Sequence, residues 1–522
     1  MTDHVPPRAL KVGRSVTAWI AACAPLVAGL APAAAQEPVA TTGWHAVHAP
    51  EFTLVSDLGA ADTRTYADLV ELMIKALRGQ LPINARILPP ATLLLFRSRS
   101  ELMNFKPVDG KGVPFEEIES DVSGFSFTAP WGAIDAAGYD GSDEGTRPAL
   151  LQGATAWLFS TQLHPLPLAL GIGIRQVFGT FYAENGMTYL GRPPHGALSF
   201  VARAAENFHS GDSAYVPIEH LLAETSLADA VARHGFQMLH AESWAFVHYL
   251  IFSKEMIGTH ALSRLADAFG RGLPAEQALR EALGPAANDI NSRFRTYLRG
   301  GDFYEERRPV EPTGLRVVDA SPAEAAAALA RLAQVERHWP SALAYAQDAV
   351  RLAPSAGSYD TLALVESEAK RDQEALAACQ AAIKLGSRDG WTWNLYARSF
   401  VHLDQAHALS PEDARQVLNW DEKAVTYRHD LKLVFDFLPS LIATASRVNP
   451  DDGKFVVFGR SLFPDDGWLE VGQAQWAIRS GNPDLARRLL DDVLAHSDKL
   501  SAGQAAQARQ LRGTLEADAP RS

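Results

Sequence analysis

The chain has 522 residues, with 48 Lys and Arg against 61 Asp and Glu and a formal net charge of -13. Hydrophobic residues make up 47% and charged residues 21%, which excludes a disordered or collagen-like chain. An acidic chain lacks the clustered cations that phosphate contacts require, so no nucleic-acid partner is expected. Two cysteines, Cys23 and Cys379, exclude a disulfide scaffold and a multi-cysteine metal site. The length suggests two to four domains of about 100 to 200 residues each.

The N-terminus reads as an export signal over residues 1–35. Arg8, Lys11 and Arg14 precede an apolar run from Val16 to Leu30, and Ala33, Ala34 and Ala35 supply small residues before Gln36. The run is short of the roughly 20 residues of a bilayer span. A periplasmic or cell-envelope protein, or a secreted one, is therefore expected, with no membrane span after cleavage. Ile20 to Cys23 fits a lipidation motif loosely, but the chain stays apolar after Cys23.

Along the mature chain, Phe52, Leu54 and Leu58 fall near alternation within residues 43–58, which predicts a strand. Tyr66, Leu69, Met73 and Leu77 predict a helix over residues 60–80. Thr92 to Phe96 predicts a buried strand, with Ser98 or Ser100 capping a short helix. Residues 122–136 predict two strands around Pro130, and helical patterns follow over 146–184, 240–252 and 261–298. The charged, Pro-rich stretch 307–314 is the best boundary in the chain.

Beyond it the sequence is Ala-rich and repetitive. Residues 341–354 (SALAYAQDAVRLAP) match 374–387 (EALAACQAAIKLGS), so that Ala342, Ala349 and Leu352 recur 33 residues on as Ala375, Ala382 and Leu385. This resembles the tetratricopeptide repeat, whose period is about 34. The resemblance implies helix crossings at Ala342, Ala346 and Ala349, then at Ala375, Cys379 and Ala382, with Pro354 ending one repeat. Trp393, Tyr396, Ala397 and Phe400 match the first helix of the next, Ser410 to Asp413 opens a further helix, and residues 469–494 form a degenerate unit. Stacked helix pairs leave a concave surface, so a protein or peptide partner is expected there.

Trp44 to Leu58, residues 150–181 and Ser243 to Leu250 together resemble the peptidase MA-like, or gluzincin-type, zinc metallopeptidase domain, covering about residues 43–300. That family's chemistry uses HExxH on a helix: two His on one face hold zinc and the Glu is a general base. Laid on the pattern, Gln152 takes the first His position, Gly153 the Glu and Ala156 the second His. Pro167 and Gly173 match the later segment, but Ile172 replaces the third ligand and Gln176 a second acid. No HExxH occurs elsewhere in the chain. Gly, Ala and Ile cannot donate to zinc, so neither metal nor other cofactor is expected.

Other chemistries are thinly supported. His45 and His48 fall on opposite strand faces; His234, His240 and His248 are spaced too far apart for one metal, and His402 and His407 share no helix face. Asp135, Asp140, Asp143 and Glu144 cluster without the calcium-loop pattern. Ser243 sits in an apolar helix beside Glu242, with His248 five residues on. The expectation is an α+β N-terminal domain over residues 36–306, a small mixed sheet plus helices, zincin-like. A linker (307–316), an all-α tetratricopeptide-like solenoid (317–516) and a tail (517–522) follow. Its function is then protein binding without catalysis. The alternative is a divergent hydrolase, which would bring His164, Glu184, His195 or Asp135 together.

Overall fold

The computed structural model describes residues 39–517, apart from 82, 84–87, 107–123, 140–142, 160–165, 207–214, 302, 404–408 and 430. The predicted signal with Cys23 lies outside the described residues. So do Asp140, His164 and His407, the side chains of Asp143, Glu144 and His402, and the tail beyond residue 517.

The first strands, β1 (His45–His48) and β2 (Phe52–Ser56), form an antiparallel hairpin. α1 (Ala60–Gln80) then carries the chain to β3 (Ala91–Phe96), parallel to β2 with Leu54 opposite Leu93. Ser98 caps α2 (Arg99–Leu102), its hydroxyl accepting from the Glu101 amide. β4 (Gly124–Ala129) and β5 (Gly132–Gly138) make a hairpin, and β5 runs parallel to β3.

Six helices build a layer on this sheet and beside it. They are α3 (Asp143–Phe159), α4 (Leu168–Gly179), α5 (Ala197–Glu206), α6 (Ile218–Ala223), α7 (Leu227–His234) and α8 (Phe236–Phe252). β6 (Tyr182–Glu184) and β7 (Met187–Leu190) follow α4 in the chain, and so end the helical stretch predicted over 146–184. α9 (Ala261–Gly270), α10 (Ala275–Leu283) and α11 (Ile290–Gly300) complete the layer. α8 is its centre. Apolar on every side, it buries all but three of its residues, as an interior helix must. α4 lies against it so closely that a Cβ at Gly173 would overlap the Ser243 carbonyl. Only glycine permits that approach.

The Pro-rich boundary is built into the sheets. β8 (Glu306–Pro309) pairs with β7, and β9 (Val317–Asp319) pairs with β1. The main sheet therefore has the order β4-β5-β3-β2-β1-β9. Because β9 leads straight into the repeats, they and the sheet share one compact unit from Ala40 onward.

The repeat region holds α12 (Pro322–Val335), α13 (Trp339–Leu352), α14 (Ala356–Glu368), α15 (Asp372–Lys384), α16 (Gly390–Leu403) and α17 (Pro411–Tyr427). It continues with α18 (Lys432–Thr444), α19 (Pro450–Leu462), α20 (Gly467–Arg479), α21 (Pro483–Ala495) and α22 (Ala502–Ala517). α12 pairs with α13, α14 with α15, and α16 with α17; α12, α14 and α16 also touch in series. Serine caps start α12, α14 and α17, at Ser321, Ser355 and Ser410. No described helix is long and apolar enough to cross a membrane.

The sheet is buried on both faces. Leu54, Leu93, Leu95, Ala133 and Ala137 share a core with α1, α3, α4 and α8. Strand alternation sends Val55, Leu94, Phe96, Ile134 and Ala136 the other way, yet each is at most 1% exposed. The repeats cover this second face. α12 contacts β5, and Phe105, just after α2, packs between Phe96 and Tyr345 of α13. Arg428, at the end of α17, donates to the carbonyls of Trp131 (2.7 Å) and Pro130 (2.9 Å) in the β4–β5 turn. Charge-assisted bonds of this kind contribute about 1.5–3 kcal/mol when buried. Arg428→Met should therefore lower the urea-unfolding midpoint while leaving the far-ultraviolet circular dichroism of the folded protein unchanged. An unchanged midpoint would mean the turn does not anchor the repeats.

Candidate functional site

α3 presents Gln152 and Ala156 half-buried and turns Gly153 onto the sheet. Opposite Gly153 on β5 is Asp135, 2% exposed, with its carboxylate lying where any Cβ on residue 153 would be. The sheet register puts Asp135 beside Leu93, on the helix-facing side. A glutamate at position 153 has no room, and its charge would oppose that of Asp135.

The remaining positions of the zinc pattern are spent on packing. Ile172 is 1% exposed within the core around α4. The Gln152 side chain fills the space left by Gly179, where a Cβ would touch its Cγ. Gln176 donates from Nε2 to Nδ1 of His240 across the α4–α8 contact at 2.7 Å. Burial, helped by the nearby Arg175 charge, holds the His240 imidazole down at about 3, so the ring is neutral and can accept. His248 is likewise held down to about 4 by burial, and its two nitrogens meet the Tyr297 hydroxyl and the Tyr304 carbonyl. This donor set does not fit zinc. Among the described residues no three His, Cys, Asp or Glu side chains come together as metal ligands.

The remaining candidates are placed apart. Glu184 and His195 are exposed, and Asp135 lies beneath α3. His45 faces Asp319 and His48 faces Glu324, each at 3.3 Å. His234 is held by Glu224 at 2.9 Å. Ser243 is buried with its hydroxyl unbonded among the described residues, and the neighbouring Glu242 instead accepts the Val216 amide with both oxygens, at 3.2 Å.

In the repeats, Ala342, Ala346, Ala349, Ala375, Cys379 and Ala382 are fully buried. Burial raises the Cys379 thiol well above its ordinary range, so it holds its proton and packs. Ala397 is 1% exposed; Trp393 is half-buried, with its indole donating to the Ser387 carbonyl, and Tyr396 and Phe400 pack on Trp420. Pro354 is exposed just past the end of α13.

One hollow draws on both halves of the structure. A cavity of about 290 Å³ lies between Thr53, Val55 and Thr92 of the sheet and Arg331 of α12 with Thr361 of α14. Sequence reasoning missed it, because four short stretches, around 53–55, 92, 321–331 and 353–361, meet there and none carries a motif. A second hollow, of about 700 Å³, lies beside α10 and α11, where Glu219, Glu276 and Asp289 offset Arg280, Arg295 and Arg299.

The fold thus defines an α+β domain with a small mixed sheet joined to a helical-repeat array. No protein-family model matches the sequence, and no curated protein matches it. Among solved structures, the crystal structure of YrrB, described as a TPR protein with an unusual peptide-binding site, is similar at 16% identity. The match covers 36% of this chain and 92% of that one, with a TM-score of 0.29.

Two outcomes test this account. A variant carrying Gln152→His, Gly153→Glu and Ala156→His should melt well below the parent and gain no stoichiometric zinc in metal analysis; adding Asp135→Ala should recover part of the loss. Overpacking at such a contact costs about 1–3 kcal/mol. Separately, burial pushes Glu242 up from 4.5 to about 8, with the Val216 amide and Arg295 pulling the other way. The unfolded chain releases this proton near 4.5 and the folded chain only near 8, so this group makes stability fall as pH rises between those values. Glu242→Gln should flatten that fall in urea titrations across the window. An equally steep fall in the variant would assign the effect elsewhere.

Proposed function

We propose that the chain is an exported, non-catalytic protein-binding scaffold, in which a pseudo-metallopeptidase domain supports a tetratricopeptide-like repeat that takes a peptide or protein partner. The reading rests on one observation. The positions that would carry zinc chemistry are used within the fold, Gly153 against Asp135, Gln152 against Gly179, Ile172 in the core and Gln176 bonded to His240, and Gly153 against Asp135 is the tightest. The helices α3, α4 and α8 are thereby a buttress for the sheet, and the sheet in turn buttresses the first repeats.

Covering by the sheet has a consequence for partner choice. α12 and α14 present their inner side to β2, β3 and β5, so the surface open to a large partner lies on the later helices. There α18 and α19 expose Phe437 (56%) and Val457 (49%). Export adds the expectation of a mature N-terminus at Gln36 in the envelope fraction.

The test uses the full mature chain with photo-crosslinkers placed at Phe437 or Val457. Partner adducts should form there, and the protein should show neither one equivalent of zinc nor chelator-sensitive proteolysis. Stoichiometric zinc with chelator-sensitive cleavage would overturn the non-catalytic reading. Adducts that form only from positions in residues 43–300 would overturn the role of the repeats.

A further inference from the structure

We propose that the cavity between the sheet and the first two repeats binds a small organic oxyanion, a carboxylate or a phosphate monoester, through Arg331 and Thr361. This goes beyond protein binding, since about 290 Å³ is close to the lower end of small-molecule pockets, roughly 300–1,000 Å³, and excludes a folded partner.

Four polar side chains on its wall have no hydrogen-bond partner among the described residues: Thr53, Thr92, Arg331 and Thr361. Thr361 is the most telling. It is 1% exposed, in the middle of α14, lines the cavity, and makes no hydrogen bond back to its own helix. Its oxygen is not among the side-chain atoms sealed off without a partner, so the cavity leaves it open to water or a ligand.

Charge sets the ligand class. Arg331 forms no ion pair among the described residues. Its charged neighbour is Asp360, whose Oδ1 already accepts from the Ser387 and Thr392 hydroxyls at 2.7 Å each. Glu324 also lines the cavity, but it faces His48 and lies about 10 Å back along α12 at helical rise. α14 starts at the wall, where Ser355, Gly357 and Ser358 line the cavity, so the positive end of its dipole adds to Arg331. A planar guanidinium with hydroxyls around it matches an oxyanion. Val55, Ala327, Ala328 and Ala353 supply an apolar wall for the carbon skeleton that carries the oxyanion.

A ligand held here touches β2, β3, α12 and α14 at once, so binding should stabilise the junction by mass action. Calorimetry and thermal unfolding of the full mature chain, with inorganic phosphate and acetate as probes and chloride at matched ionic strength as the control, should show saturable binding and a raised melting temperature. Arg331→Ala should weaken binding at least tenfold, and Arg331→Lys less. Thr361→Val, which keeps the side-chain shape, should weaken it several-fold without lowering the melting temperature of the free protein. A stronger response to phosphate assigns a phosphoryl ligand, and a stronger response to acetate a carboxylate. No saturable response to either probe above chloride, or equal binding by the parent, Arg331→Ala and Thr361→Val, would overturn the proposal.

Discussion

The structure depends on covering one sheet twice. β2, β3 and β5 are parallel neighbours, and parallel strands are stable when both faces are dry. Their residues are apolar in both alternation phases, so neither face can be left to water. One face takes α1, α3 and the helices around α8. The other takes Phe105, just after α2, and the repeats. The C-terminal array therefore completes the cover of the N-terminal sheet, although the chain looks divisible at its Pro-rich stretch. β9 makes the dependence covalent and local: three residues extend the sheet, and the next helix begins covering it.

That constraint accounts for what the sequence made legible. α1, β3 and α8 are long or strongly patterned, and their positions follow from periodicity alone. The Ala-rich seams at Ala342, Ala346 and Ala349 and at Ala375, Cys379 and Ala382 were legible because close crossing admits only small side chains. The two matching segments are the second helices of their pairs, α13 and α15. Their first helices, α12 and α14, match poorly because α12 and α14 face the sheet and answer to its shape. Beyond Phe400 the period fades for a different reason. α18 packs closely on α20, with Gly472 against the Pro439 ring, and Gly453 and Gly459 receive Trp476 and Phe435. These contacts are particular to their places and carry no repeat.

Site legibility divides in the same way. That Gln152, Gly153, Ala156, Ile172 and Gln176 form no zinc donor set could be read from residue type. What these residues do instead could not. The Asp135 carboxylate under Gly153 needs the β3–β5 register, and the Gln176–His240 bond needs the α4–α8 approach that Gly173 permits. Both are pairings across 18 or more residues of chain, and single-sequence patterns report only neighbours on one element.

The cavity at the sheet–repeat junction follows from the same two-sided burial. α12 touches the sheet at β5 and stands off from it at β2 and β3, and the gap opens where Thr53 and Thr92 take positions that Val and Leu hold elsewhere on that face. Apolar residues at 53 and 92 would have closed the seam with no loss to the strands, since β-branched side chains suit either polarity. Threonine keeps the strand propensity and adds hydroxyls that bond to none of the described residues. Arg331, two and a half turns along α12 from Pro322, brings a charge to the same gap. A junction under selection for burial alone would exclude all three. Their convergence at one gap is the arrangement that the proposed oxyanion would pair.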